Sequence, residues 1–145
     1  MKIRHTGIVV SDIDKSLHFY NKLLGFKIVK DMREVGPFVD KILGLSGVNV
    51  RTIKMDAGGS LIELLCFKSH PMGQQLNNIT SLGCTHIALT VDNLDNCFNM
   101  LKEENTFFVS EPQMSPAGNA KVAFCKDPDG TFIELVEELN EKKDR

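Results

Sequence analysis

No apolar run in this 145-residue chain approaches the roughly 18 residues needed to span a bilayer. The N-terminus also lacks the apolar core of a signal peptide. Charge of one sign is not in excess: a formal net charge of −2 gives no electrostatic basis for holding nucleic acid or an anionic membrane surface. Cysteine is sparse. Cys66, Cys84, Cys97 and Cys125 are widely spaced and form no Cys-x-x-Cys pair. Three of them fall inside apolar strand or helix patterns, where a free thiol behaves as a small hydrophobe. Together these absences predict reduced core thiols in a cytoplasmic protein without nucleic-acid or membrane partners; a disulfide or thiolate metal site is the alternative. What is present is ordinary: 42% hydrophobic and 25% charged residues, as in soluble globular proteins. The length suits one domain, or two small halves sharing a core.

Residues 2–10 alternate and are mostly β-branched, which predicts a strand with Ile3, His5, Gly7 and Val9 on one face. Ser11 or Asp12 caps a helix whose apolar stripe is Ile13, Leu17, Tyr20 and Leu24, ended by Gly25. Strands are expected at 26–32, 48–55 and 61–67, the last two joined by a hairpin turn at Gly58-Gly59. Between them, residues 33–47 read as a loop with a short helical turn around 39–43. The polar stretch 69–83, with Pro71 and Gly73, reads as a linker. Then the pattern restarts. A strand at 84–91 carries Cys84, His86, Ala88 and Thr90 on one face. A helix capped by Asp92 or Asn93 follows, with Leu94, Cys97, Phe98 and Leu101 as its apolar positions. Strands are expected at 106–109, 119–125 and 131–136, and the turn Asp127-Pro128-Asp129-Gly130 precedes the last of them. The tail, 139–145, is charged and is expected to fray.

The two halves superpose at a shift of 81 residues near their starts, His5 on His86 and Asp14 on Asp95. Near their ends the shift is 71, Glu63 on Glu134. This is an internal βαβββ repeat, with module one at 1–68 and module two at 84–138, in one pseudo-symmetric domain. Each repeat opens with a strand bearing one histidine and closes with an apolar strand bearing one glutamate. A carboxylate in such a strand is expensive to bury unpaired. Alone, a strand histidine is more often structural and a strand acid is often just exposed. Matching places in two repeats argue otherwise. Gly7 and Ala88 leave space before the imidazoles, and a pseudo-twofold pairing would bring His5, Glu63, His86 and Glu134 into one cleft. Two imidazoles and two carboxylates suit one divalent ion: Ni, Co, Mn, Fe or Zn. His18, off the helix stripe, and His70, in the linker, are not ligand candidates. Arg51 and Lys121 are candidates for an anionic part of the substrate. Met32, Phe38, Met55, Phe67 and Phe124 are candidates for an apolar pocket.

Four motifs carry a resemblance across residues 3–138: His5-Thr6-Gly7-Ile8-Val9-Val10, Phe19-Tyr20-Asn21-Lys22-Leu23-Leu24-Gly25-Phe26, His86-Ile87-Ala88-Leu89, and Asp127-Pro128-Asp129-Gly130-Thr131-Phe132-Ile133-Glu134-Leu135. In them the chain resembles the vicinal oxygen chelate superfamily of glyoxalase I, methylmalonyl-CoA epimerase, extradiol dioxygenases and bleomycin resistance proteins. The resemblance implies an α+β fold of two tandem βαβββ modules, forming an eight-stranded cup-shaped mixed sheet with helices outside, usually in a homodimer. It implies a metal held by His5, Glu63, His86 and Glu134, as in bacterial-type glyoxalase I, with Glu134 as the catalytic base and Glu63 opposite it. The implied function is a metal-dependent lyase or isomerase that moves a proton beside a metal-bound carbonyl of a small-molecule substrate. An Fe(II) extradiol-type dioxygenase, an epimerase-like enzyme and a non-catalytic binding protein are the alternatives. Where glyoxalase I places an arginine and an asparagine for glutathione, this chain has Val9 and Phe67. The additional glutamate of the epimerase falls near Ser46 or Gly47.

Overall fold

The computed structural model describes residues 1–73 and 78–139. Contacts divide the chain into two units, Met1–Gln74 and Gln75–Arg145, each holding one repeat. In the first, strands β1 (Thr6–Val9), β2 (Lys27–Val35), β3 (Asn49–Asp56) and β4 (Leu61–Phe67) form a sheet in the order β1-β4-β3-β2. In the second, β5 (His86–Thr90), β6 (Gln113–Met114), β7 (Ala120–Lys126) and β8 (Phe132–Glu138) form a sheet in the equivalent order, β5-β8-β7-β6. Both are mixed sheets. The first strand pairs parallel with the last, and the other neighbours are antiparallel. With three α-helices among the described residues, these sheets make an α+β fold.

The helices follow their caps. The Asp12 carboxylate accepts from the amides of Asp14 and Lys15 and starts α1 (Ile13–Leu17). Asn93 accepts from the Asn96 amide and starts α3 (Leu94–Glu103); Glu137 of β8 accepts from the free Leu94 amide at 2.8 Å. The expected stripe on the first helix is corrected, because α1 runs into a wider π-helical turn at His18–Leu23. The extra residue in that turn rotates the buried positions to Ser16, Phe19 and Tyr20, while Leu17 and Leu24 are only half-buried.

Other boundaries move for local reasons. β1 and β5 begin later than expected, at Thr6 and His86, so His5 stands just ahead of its strand. β2 runs on to Val35 because Arg33 and Glu34 take regular places opposite Arg51 and Val50. The expected turn at 39–43 is a helix, α2 (Pro37–Leu43), with proline in its first turn and left-handed Gly44 at its end. In place of a strand at 106–109 there is a single bridge between Phe108 and Cys125, and the sheet edge is β6. Part of the expected linker, 74–77, and the end of the charged tail, 140–145, lie outside the described residues. Among the described residues no helix is long and apolar enough to cross a membrane.

Alternation along the strands sorts the two faces of each sheet. In the first sheet Ile53, Met55, Ile62 and Leu64 are buried on one face, and Glu63 and Leu65 are half-buried on the other. In the second, Ile133 and Leu135 are fully buried beneath α3 and Glu134 faces the other way. The Asp127–Gly130 turn fixes where β8 begins. Gly130, at φ 86°, donates to the Asp127 carbonyl, and the buried Asp127 carboxylate accepts from the amides of Asp129 and Thr131 at 3.0 and 2.8 Å. All four cysteines are free thiols. Cys66 and Cys125 are buried, Cys97 is half-buried and Cys84 is exposed. Burial pushes the Cys125 thiol up to about 12 and raises that of Cys97.

Asp127→Ala removes the buried acceptor for two amides of a part-buried turn and is expected to cost roughly 2 kcal/mol in urea denaturation. Asp56→Ala, which frees only the exposed Gly59 amide, is expected to cost less. Titration with a thiol-reactive disulfide is expected to modify Cys84 first and Cys97 slowly, with Cys66 and Cys125 reacting only as the protein unfolds.

Candidate metal centre

The parallel pairing of first and last strands places each histidine beside its glutamate. In module one the register sets Gly7 opposite Glu63, and His5, two residues earlier on the same face, reaches across. Its Nε2 lies 3.6 Å from Glu63 Oε1. In module two Ala88 stands opposite Glu134, and His86 Nε2 lies 3.3 Å from Glu134 Oε2. Two ligands each about 2.1 Å from one ion stand about 3–3.5 Å apart, close to both separations. Glu63 is the more enclosed carboxylate, 12% exposed against 23% for Glu134.

The second ring nitrogens differ. His86 Nδ1 is 3.0 Å from the Thr85 hydroxyl, an outer partner of the sort that fixes the tautomer of a ligating histidine. His5 Nδ1 is buried without a partner. A buried nitrogen left so costs about 1–3 kcal/mol, a penalty seldom left standing in an ordinary core. An imidazole facing a carboxylate, in both repeats, fits a divalent ion in donor type. Each module by itself supplies two such donors. Among the described residues no group of three or more His, Cys, Asp or Glu side chains is gathered to hold an ion.

One neighbour of the site was not evident in the sequence. Lys54 stands directly opposite Glu63 in the β3–β4 register, and its Nζ lies 3.5 Å from Glu63 Oε2. The Glu63 carboxylate therefore sits between an imidazole and an ammonium. The equivalent place in module two is Phe124, opposite Glu134, whose ring meets the His86 ring edge-on at 5.2 Å between centroids. Sequence spacing does not reveal which β3 residue faces Glu63; only the hairpin register does.

Gly7 is exposed, and a Cβ added there would meet one side-chain atom, Leu65 Cδ1 at 3.4 Å, in ordinary van der Waals contact. Phe67 is on the Glu63 face and packs with Leu65 against the buried cluster of Val39, Val48 and Val50. It forms an apolar wall beyond the pair. Arg51 and Lys121 are on the opposite faces of their sheets, three positions out of phase with Glu63 and Glu134 through their partners Cys66 and Glu137. Arg51 grips Asp31 with two hydrogen bonds, 2.7 and 3.0 Å, in a cleft of about 270 Å³ shared with Arg33, Asn49 and Lys68. That guanidinium holds the Asp31 carboxyl below its ordinary value. Lys121 is 2.6 Å from Asp95 on α3. Neither cation is brought to the His–Glu pairs of its module. His18 is exposed, and His70 Nδ1 lies 2.8 Å from the Ser69 hydroxyl.

Known proteins agree with this architecture. The chain is 30% identical to a probable lactoylglutathione lyase of Synechocystis, over 98% of this chain and 99% of that one. It is also 30% identical to a lactoylglutathione lyase of Escherichia coli O157:H7, over 95% and 93%. Among solved structures, a glyoxalase family protein from Bacillus cereus superposes with a TM-score of 0.88 at 22% identity, covering 97% of this chain and 95% of that one. The sequence profile of one superfamily matches residues 2–135. With a His–Glu pair at the same place in each of two repeats, and that match running almost end to end, the chain belongs to the Glyoxalase/Bleomycin resistance protein/Dioxygenase superfamily.

Proposed function

We propose that this protein is a divalent-metal-dependent lyase or isomerase of the glyoxalase I-like kind, with His5, Glu63, His86 and Glu134 as the ligands of one ion. The observation that carries the reading is that each repeat independently sets its histidine Nε2 within 3.6 Å of its glutamate. The ion, one of Ni, Co, Mn, Fe or Zn, would supply Lewis acidity to a substrate carbonyl and so acidify the adjacent C–H.

The chain's own residues divide the remaining work. Glu63 is held on both oxygens, by His5 and by Lys54, and suits a fixed role. Glu134 is held by His86 and faces Phe124 rather than a cation, so it is the freer carboxylate to swing, take the proton and return it to the same or the neighbouring carbon. Leu65 and Phe67 exclude water on the Glu63 side. The relatives named lactoylglutathione lyase support proton transfer of this type. Val9 and Phe67 offer no hydrogen-bond donor for glutathione at the two places considered above, so the reading takes a small carbonyl compound as substrate without requiring glutathione as its carrier. The family resemblance supports a homodimer, and the free thiols support a cytoplasmic location.

Elemental analysis of protein purified without chelator is expected to find one divalent transition metal per four-ligand set. Glu134→Gln is expected to lower that occupancy and to reduce turnover of 2-oxoaldehyde thiol adducts by about 10²-fold or more. Metal-free wild type, or a Glu134→Gln protein that keeps full occupancy, would overturn the assignment.

A further inference from the structure

The two His–Glu pairs differ in what lies across the strand from the glutamate, and the difference is one of charge. In module one a single cross-strand row reads Lys30, Lys54, Glu63, Gly7 over β2, β3, β4 and β1, with His5 reaching into it. Like charges directly opposed on antiparallel strands repel, so Lys30 against Lys54 is an unfavourable pair unless an anion is near. Glu63 is the only anion in that row, and it is already shared between Lys54 and His5. The row thus carries a surplus positive charge even when empty. A divalent ion held by His5 and Glu63 would draw on the same carboxylate as Lys54 and leave the ammonium under-neutralised.

The other cations considered for substrate cannot serve here. Arg51 is committed to Asp31 and Lys121 to Asp95, both on the far faces of their sheets. Lys54, by contrast, is on the Glu63 face with its side chain 27% exposed, within reach of a ligand. In module two Phe124 holds the equivalent place, so the excess charge belongs to module one.

We infer that Lys54 is a substrate-binding residue that receives an anionic oxygen next to the reacting carbonyl. The substrate class is therefore a 2-oxo acid, with its carboxylate on Lys54, rather than an uncharged ketone or aldehyde. The inference rests on the metal-site reading for the position of the carbonyl, and on the charge row for the anion.

Oxalate, a planar dianion, and oxamide, its uncharged isostere, separate the two effects when titrated calorimetrically into full-length protein loaded with Mn²⁺. Wild type is expected to prefer oxalate by about tenfold or more. Lys54→Met and Lys54→Gln are each expected to weaken oxalate by a similar factor while leaving oxamide within about twofold, and Lys54→Arg to restore most of the loss. Thermal melts check that the variants are folded, and elemental analysis reports the metal in each. Oxalate affinity unchanged in both Lys54→Met and Lys54→Gln, or no oxalate binding by wild type, overturns the inference. If oxalate binding depends on Lys54 while no metal is taken up, the anion site stands and the metal reading falls.

Discussion

Everything at the candidate centre depends on the parallel pairing between the first and last strand of each module. The sequence separates histidine from glutamate by some fifty residues, and only this pairing puts them in contact. The pairing continues past the strand ends, through the Val10 amide to the Leu65 carbonyl and the Val91 amide to the Val136 carbonyl, so both ladders are locked in one register. Slipping either by one residue would turn its glutamate to the opposite face, among Ile62 and Leu64 or Ile133 and Leu135, where a carboxylate has no partner. Burial of those apolar neighbours therefore also positions the acids.

Within this common frame the two repeats are chemically unequal. One glutamate is clasped between an imidazole and an ammonium; the other faces an aromatic ring. A pair of carboxylates with different neighbours can take different roles even where their histidines match. The inequality lies on β3 and β7, strands that carry none of the four proposed ligands.

Much of this was legible in the sequence because it rests on local patterns. β4 runs from Leu61 to Phe67 as its apolar run predicts, and Asp12 and Asn93 cap helices as short polar side chains do. The His and Glu positions stood out because a duplication repeats them. What was hidden depends on geometry between segments. The π-helical turn at His18–Leu23 has no marker residue and shifts the buried positions by one. Arg33 and Glu34 read as loop because their strand places come from pairing with β3 rather than from β-propensity. Nothing in the sequence marks Lys54; only the hairpin register sets it against Glu63, and the same registers turn Arg51 and Lys121 away from the acids.

The pairing of outermost strands also bears on how such a centre comes into being. A contact between the two ends of a module closes a long loop, whose entropy must be met before the contact stabilises anything, and such closures are slow relative to hairpins. The β3–β4 and β7–β8 hairpins can form from local contacts, carrying Glu63 with Lys54 and Glu134 with Phe124 already side by side. Each histidine arrives only when its β1 or β5 strand docks on the far side of the last strand. The carboxylate half of each pair is then built early and the imidazole half late, so a chain that can present both nitrogen and oxygen donors has necessarily closed its sheet.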